Sequence, residues 1–176
     1  MSNKCLFLDR DGVINQDFGY VNRIEDFDFV EGIFDLVLEA NLKLFKVIII
    51  TNQAGIGRGY YTEFDFKKLT NWMQDEFEKR KCIIDDVYYC PHHPIHGIGK
   101  YLKDCPCRKP APGMILKAQL EHNISLKHSV LIGDKQTDIE AGSRAGIGTS
   151  VHFDVSSTSC ERNTIYSLSD AHAYLK

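Results

Sequence analysis

Two groups of residues in this chain have types and spacings that could do chemistry. Cys90, His92, Cys105 and Cys107 follow the pattern C-x-H-x12-C-x-C, and Arg108 and Lys109 come directly after the last cysteine. Four soft or borderline ligands with no spare position suit tetrahedral structural zinc, whereas a catalytic zinc normally keeps one position open for water. The metal loop is therefore expected to hold Arg108 and Lys109, a donor fork and a compact point charge suited to anionic oxygens, while the chemistry lies elsewhere. The second group is acidic: Asp9 and Asp11 in LDRDG, and Asp134 and Asp138 in GDKQTD. An isolated D-x-D reads equally well as a solvated turn after a strand. Asp9, Asp11 and Asp134 gathered at one pole would repel one another unless a hard cation joined them, and few carboxylates plus phosphate are typical of a magnesium site. Thr51 in TNQAGIGRG adds a hydroxyl before a glycine-rich turn whose N–H groups could face a phosphate.

These residues need elements to position them. Residues 5 to 9 (CLFLD), 47 to 51 (VIIIT), 83 to 89 (IIDDVYY), 129 to 133 (SVLIG) and 148 to 153 read as strands. Between the first two, Ile33, Phe34, Val37, Leu38 and Leu44 recur at helical spacing after Gly32. A second helix is expected from Thr62, a candidate N-cap, with Phe66, Leu69, Met73 and Phe77 on its buried face. Pro112 and Gly113 open a third helix, Gln136 to Arg144 form a fourth, and a last one falls around 168 to 175. Alternation of this kind predicts an α/β fold, a parallel sheet with helices on both faces. Ligands in such sheets bind beyond the carboxyl ends of the strands, where Asp9, Thr51 and Asp134 would converge.

Length and composition set the limits. A chain of 176 residues with 43% hydrophobic content fits a single domain. A net charge of -3 argues against general nucleic-acid affinity, which needs clustered Lys and Arg. No basic segment followed by an apolar run lies near Met1, and no stretch approaches the roughly 20 apolar residues of a membrane span, so a soluble, cytoplasmic protein is expected. C-x-C spacing without a secretion signal favours zinc over a disulfide framework for the six cysteines. Cys5 and Cys82 read as core residues, Cys160 sits in a polar tail, and none of the three is assigned a function. His93 and His96 read as solvated loop residues rather than substitute ligands.

The ordered set LDRDG, strand-end Thr51, Lys109 and GDKQTD resembles the haloacid dehalogenase superfamily across nearly the whole chain. DRDGVIN, DFGYV, TNQAGIGRGYYT, YYCPHHP and CRKPAPGM look most like its D-glycero-D-manno-heptose 1,7-bisphosphate 7-phosphatases. Histidinol-phosphate phosphatases, which share the C-x-H and C-x-C pairs, are the alternative. A non-enzymatic zinc-knuckle binding module is a distant one, disfavoured by the acidic charge and the strand-end carboxylates. The resemblance implies Asp9 as nucleophile and Asp11 as general acid and base. It implies magnesium on Asp9, the Asp11 backbone carbonyl and Asp134, with Thr51 and Lys109 on the transferring phosphoryl group. Arg108 would meet the rest of an anionic sugar, while Asp17, Phe18, Gly19, Tyr20, Asn52, Gln53 and Ala54 line the pocket. Ala54 stands where relatives are expected to carry serine. Lys135 would either contact substrate or pair with Asp138. The resemblance further implies a monomer acting on a small sugar bisphosphate. With so little chain between Asp17 and Phe29, no large cap domain is expected.

Overall fold

Short β-branched and aliphatic runs bounded by polar residues form the sheet. The computed structural model describes residues 2–155 and 163–176. Its strands are β1 (Lys4–Leu8), β2 (Phe45–Asn52), β3 (Asp86–Cys90), β4 (Val130–Gly133), β5 (Thr149–Phe153) and β6 (Thr164–Ile165). They lie in the order β3-β2-β1-β4-β5-β6, with every neighbouring pair parallel. The chain builds outward from β1 through β2 to β3, then returns to pair β4 on the other side of β1. That reversal puts the topological switch point between β1 and β4, where an open parallel sheet leaves a crevice for ligand.

Both faces of the sheet are buried because successive strand side chains alternate. Leu6, Leu8, Val47, Ile49, Val130 and Ile132 face one core with α1 (Ile33–Leu42) and α3 (Glu63–Glu78). Cys5, Phe7, Ile48, Ile50 and Leu131 face the other with α4 (Gly113–His122) and α5 (Gln136–Ala145). A one-turn helix, α2 (Ala54–Gly57), follows β2. Each fully buried aliphatic side chain contributes roughly 1.5–3 kcal/mol, so these strands anchor the loops that leave them. Thr62 caps α3 as expected: its Oγ1 accepts from the Asp65 N–H at 3.1 Å, while its own N–H donates to Asp65 Oδ2 at 2.9 Å. Phe66, Leu69, Met73 and Phe77 are buried on that helix, and Cys5 and Cys82 are core residues.

Several expectations need correction. Leu44 does not extend the buried face of α1, which ends at Leu42; it is 84% exposed at φ +62, in the turn that feeds β2. Leu36 and Ala40 complete that face instead. Pro112 is the N-cap of α4, one position before the helix. The last helix is a 3-10 helix, Leu168–Tyr174, and the two-residue β6 is too short for any periodicity to reveal. Cys160 lies outside the described residues. Between Asp17 and Phe29 the chain makes one 3-10 turn, Ile24–Asp26, and no cap domain. Among the described residues no helix is long and apolar enough to cross a membrane.

Candidate active site

Asp9 leaves the end of β1 almost fully buried, and its N–H donates to the carbonyl of Ile132 in β4 at 3.1 Å, which fixes it at the switch point. Lys109 is brought against it from the far side of the cysteine-rich loop. The Lys109 Nζ lies 2.9 Å from Asp9 Oδ1, 2.7 Å from Asp138 Oδ1 and 2.8 Å from the carbonyl of Ile50 in β2. Three oxygens thus surround an ammonium that has three protons, and the two carboxylates hold its pKa up against the effect of burial. The Lys109 backbone is clamped as well: the Asn52 amide donates to its carbonyl and accepts from its N–H, both at 3.0 Å. Asn52, expected to meet substrate, spends its amide on this clamp.

Asp9, Asp134 and Asp138 bring carboxylate oxygens within 4.8 Å of one another. Burial, then the charge of Asp9, pushes Asp134 up to about 7; burial, with Asp138 adding to it, also raises Asp9 despite Lys109. Asp134 Oδ1 is buried without a hydrogen-bond partner. A Cβ on Gly12, which sits at φ +95, would come within 2.3 Å of Asp134 Oδ2. A glycine is therefore required for the DRDG turn to pack on Asp134. An orphaned oxygen in an excess of negative charge fits a hard divalent cation.

Asp11 points away from this cluster. Its Oδ1 accepts from Arg10 Nε at 3.2 Å, Arg10 Nη2 at 2.7 Å and Asn15 Nδ2 at 3.2 Å, and its Oδ2 accepts from Gln53 Nε2 at 3.0 Å. The expected gathering of Asp11 with Asp9 and Asp134 therefore fails for its carboxylate, which Arg10 draws aside. Thr51 is buried at the end of β2, and its Oγ1 accepts from Gln53 Nε2 at 2.8 Å.

A cavity of about 230 Å³ opens here, lined by Asp11, Asp17, Gly19, Tyr20, Asn52, Gln53, Ala54, Tyr61 and Lys135. Eight of those nine were singled out from sequence; Tyr61 was not. Lys135 does not pair with Asp138 through its side chain: Nζ contacts Asp17 Oδ2 at 2.9 Å and Asp134 Oδ2 at 3.6 Å, and only its N–H reaches Asp138. Asp17 titrates low: burial opposes this, but the Lys135 ammonium outweighs it. Phe18, 65% exposed, lies outside the lining. Arg108 also lies outside; its Nη1 donates to the carbonyl of His92 at 3.2 Å, within the metal loop. The glycine-rich segment after Thr51 is not an open phosphate-facing turn. It forms α2, with Gly55, Ile56 and Gly57 buried.

Cys90, His92, Cys105 and Cys107 come together with ligand atoms within 4.8 Å. Cys90 Sγ is 3.6 Å from His92 Nδ1, and the Cys105 and Cys107 sulfurs are 2.7 Å apart as free cysteines. One thiol and one imidazole, Cys90 and His92, leave the end of β3, and two thiols, Cys105 and Cys107, return just before Arg108 and Lys109. His93 is not a member of this set; its Nδ1 accepts from the backbone of Ile95 and His96, closing the loop on itself.

The family model for HAD-hydrolase-like proteins matches residues 106–151, the stretch from the metal loop through β4, α5 and β5. The chain is 54% identical over 151 residues to the D-glycero-alpha-D-manno-heptose-1,7-bisphosphate 7-phosphatase of Burkholderia mallei, covering 86% of this chain and 80% of that protein. This chain belongs to the D-glycero-D-manno-heptose 1,7-bisphosphate 7-phosphatase family. It is also 46% identical to the beta-anomer enzyme of Vibrio cholerae, over 86% of this chain and 81% of that one. The fold matches a D,D-heptose 1,7-bisphosphate phosphatase from B. bronchiseptica, complexed with magnesium and phosphate. The TM-score is 0.83 and the identity 24%, over 98% of this chain and 97% of the other.

In this heptose bisphosphatase family member, three residues of the site escaped the sequence reading, and a fourth, Asp138, was singled out without its partner Lys109. Arg10 and Asn15 hold Asp11, Asp138 holds Lys109, and Tyr61 holds Gln53. Arg10 carried a signal: an arginine between two strand-end aspartates must be either exposed or paired. Asp138 carried another, one helical turn beyond a strand-end aspartate. Tyr61 carried none, because its partner is fixed only by the course of α2.

Proposed function

We propose that this chain removes the 7-phosphate of D-glycero-D-manno-heptose 1,7-bisphosphate through an aspartyl-phosphate on Asp9. The Asp9 carboxylate attacks phosphorus, the bond from phosphorus to the C7 oxygen breaks, and Asp11 gives that oxygen a proton. Water then attacks the aspartyl-phosphate and returns a proton to Asp11, leaving inorganic phosphate. Lys109 and the Thr51 hydroxyl stabilise the phosphoryl oxygens. Asp9, the Asp11 carbonyl and Asp134 would hold magnesium, which when bound supplies positive charge against the phosphoryl anion. Cys90, His92, Cys105 and Cys107 would hold structural zinc, which keeps Lys109 docked. Asp17, Gly19, Tyr20 and Lys135 receive the sugar, and Arg108 serves its second phosphate from the margin. We further propose one domain spanning residues 1–176, acting as a cytoplasmic monomer.

The observation that carries this reading is the meeting of two separate halves. A buried Asp9–Lys109–Asp138 cluster adjoins a polar cavity whose wall includes the Asp11 carboxylate. Nucleophile and proton donor are held by different partners, as two distinct roles require. The test is phosphate release with magnesium from both anomers of heptose 1,7-bisphosphate and from histidinol phosphate, compared as kcat/KM. A heptose bisphosphate is the expected best substrate, and the better anomer identifies the pathway served. Preference for histidinol phosphate would overturn the substrate while leaving the mechanism.

A further inference from the structure

Gln53 was expected to touch substrate, yet its side chain is consumed inside the protein. It is 1% exposed, and its amide has a partner on each side: Tyr61 Oη donates to Oε1 at 2.6 Å, and Nε2 donates to Thr51 Oγ1 at 2.8 Å and to Asp11 Oδ2 at 3.0 Å. One amide therefore contacts both the hydroxyl and the carboxyl that meet the phosphoryl group and the leaving group. Its orientation decides what each of them can do.

We infer that Tyr61 and Gln53 are positioning residues that orient two protons, the hydroxyl proton of buried Thr51 and the transferable proton of Asp11 at the cavity wall. Since Thr51 Oγ1 accepts from Gln53, its own O–H is left to donate, and in the proposed reaction its acceptor is a phosphoryl oxygen. Asp11 Oδ1 already accepts three N–H donors from Arg10 and Asn15, so a proton on this carboxyl belongs on Oδ2. Gln53 Nε2 occupies one side of Oδ2 and leaves the other for the proton. With the amide reversed, Oε1 would take the Thr51 hydroxyl proton for itself and face the Asp11 carboxylate as a second acceptor.

Tyr61 prevents that reversal. Its phenol is pushed well above its ordinary pKa, chiefly by burial, so it remains a hydroxyl and can donate to Oε1. Its position depends on Gly55: a Cβ there would lie 2.2 Å from Tyr61 Cε1 and 2.8 Å from its hydroxyl oxygen. The glycine that the motif suggested for phosphate binding thus makes room for the tyrosine ring. Tyr61 acts through Gln53, and Gln53 acts through Thr51 and Asp11.

The inference rests on the proposed phosphatase chemistry and is tested with it. The full chain, zinc-loaded and with magnesium, is assayed with heptose 1,7-bisphosphate and with p-nitrophenyl phosphate, whose departing phenolate needs no proton. Wild type is measured first. Failure to hydrolyse the sugar substrate would overturn the proposed function and this inference with it. Tyr61→Phe, which keeps the ring and removes only the hydroxyl, should lower kcat/KM about tenfold for the sugar phosphate and only about two- to threefold for the aryl phosphate. In a Gln53→Met background the same change should have no further effect, because the coupling runs through the amide. An unchanged rate in Tyr61→Phe, an equal loss on both substrates, or additive losses in the double variant would each sink the inference while an active wild type keeps the function. Circular dichroism and zinc content of each variant report that the comparison is between folded proteins.

Discussion

Among single residues, Lys109 sets the electrostatics of the site. It is buried with two carboxylates, so removing one of them still leaves the ammonium paired. Asp9→Asn is therefore expected to fold and to retain zinc, with Asp138 still 2.7 Å from Nζ, while turnover is lost because an amide oxygen cannot form the acyl phosphate. Single-turnover phosphate release and metal analysis of the variant check both halves of this. Appreciable activity would remove Asp9 as nucleophile. Asp9, Thr51 and Asp134 stood out from sequence as candidates because each closes an apolar run, Asp11 because it follows Asp9 at D-x-D spacing, and Lys109 because it trails the C-x-C pair. What those side chains bond was not legible. That Asp11 turns to Arg10, or that Asn52 clamps the Lys109 backbone, depends on a turn at Gly12 and on a loop closed over many residues.

At the level of elements, the Cys90–Cys107 loop has little hydrophobic packing to hold its shape beyond its cysteines and Tyr101. From Cys90 to Cys107 it has two buried cysteines but exposes Ile95, Ile98 and Leu102, and a few polar ties hold it: the Asn52–Lys109 clamp, the Ile98 N–H to the Gly57 carbonyl, and the Tyr101 hydroxyl to Glu63. Its order is expected to come from metal, as in small zinc domains where binding free energy is folding free energy. Cys107→Ala should release zinc, lower kcat/KM by at least about a hundredfold as Lys109 loses its seat, and expose the loop to protease ahead of the sheet. Metal content and limited proteolysis read this out; unchanged values for both would remove the structural-zinc assignment. The ligand spacing made this element readable from sequence. By contrast α2 read as a loop, because glycines that serve close packing cannot be told from glycines that serve a turn until the neighbour is known.

Across the whole molecule, the acidic pole makes stability depend on magnesium and pH together. Asp134 titrates near 7 in the fold against an ordinary 3.8, so between those values the metal-free native state holds a proton that the unfolded chain has released. The stability of metal-free protein should therefore fall as pH rises through that window, with the full loss present above it. A cation at the pole removes the cause. Thermal unfolding of protein free of magnesium but retaining zinc should show a larger rise in Tm on adding magnesium above neutrality than near about pH 5. An equal rise at both would mean that Asp134 is not the group that senses the ion. The parallel sheet and its alternation with helices were legible as a whole from short apolar runs. The order of the strands was not, since nothing local in β4 says that it pairs with β1.

That order has a consequence in time. Asp9 comes from the first strand, the Ile50 carbonyl from the second, Lys109 from beyond the third, and Asp134 and Asp138 from just after the fourth. As the chain is synthesised from its amino end, Asp9 emerges early and its lysine and acidic partners late. The hazard of a reactive carboxylate loose in a half-made protein does not arise, because until β4 inserts beside β1 there is no pocket to activate it. Competence and the docking of β4 beside β1 are one event.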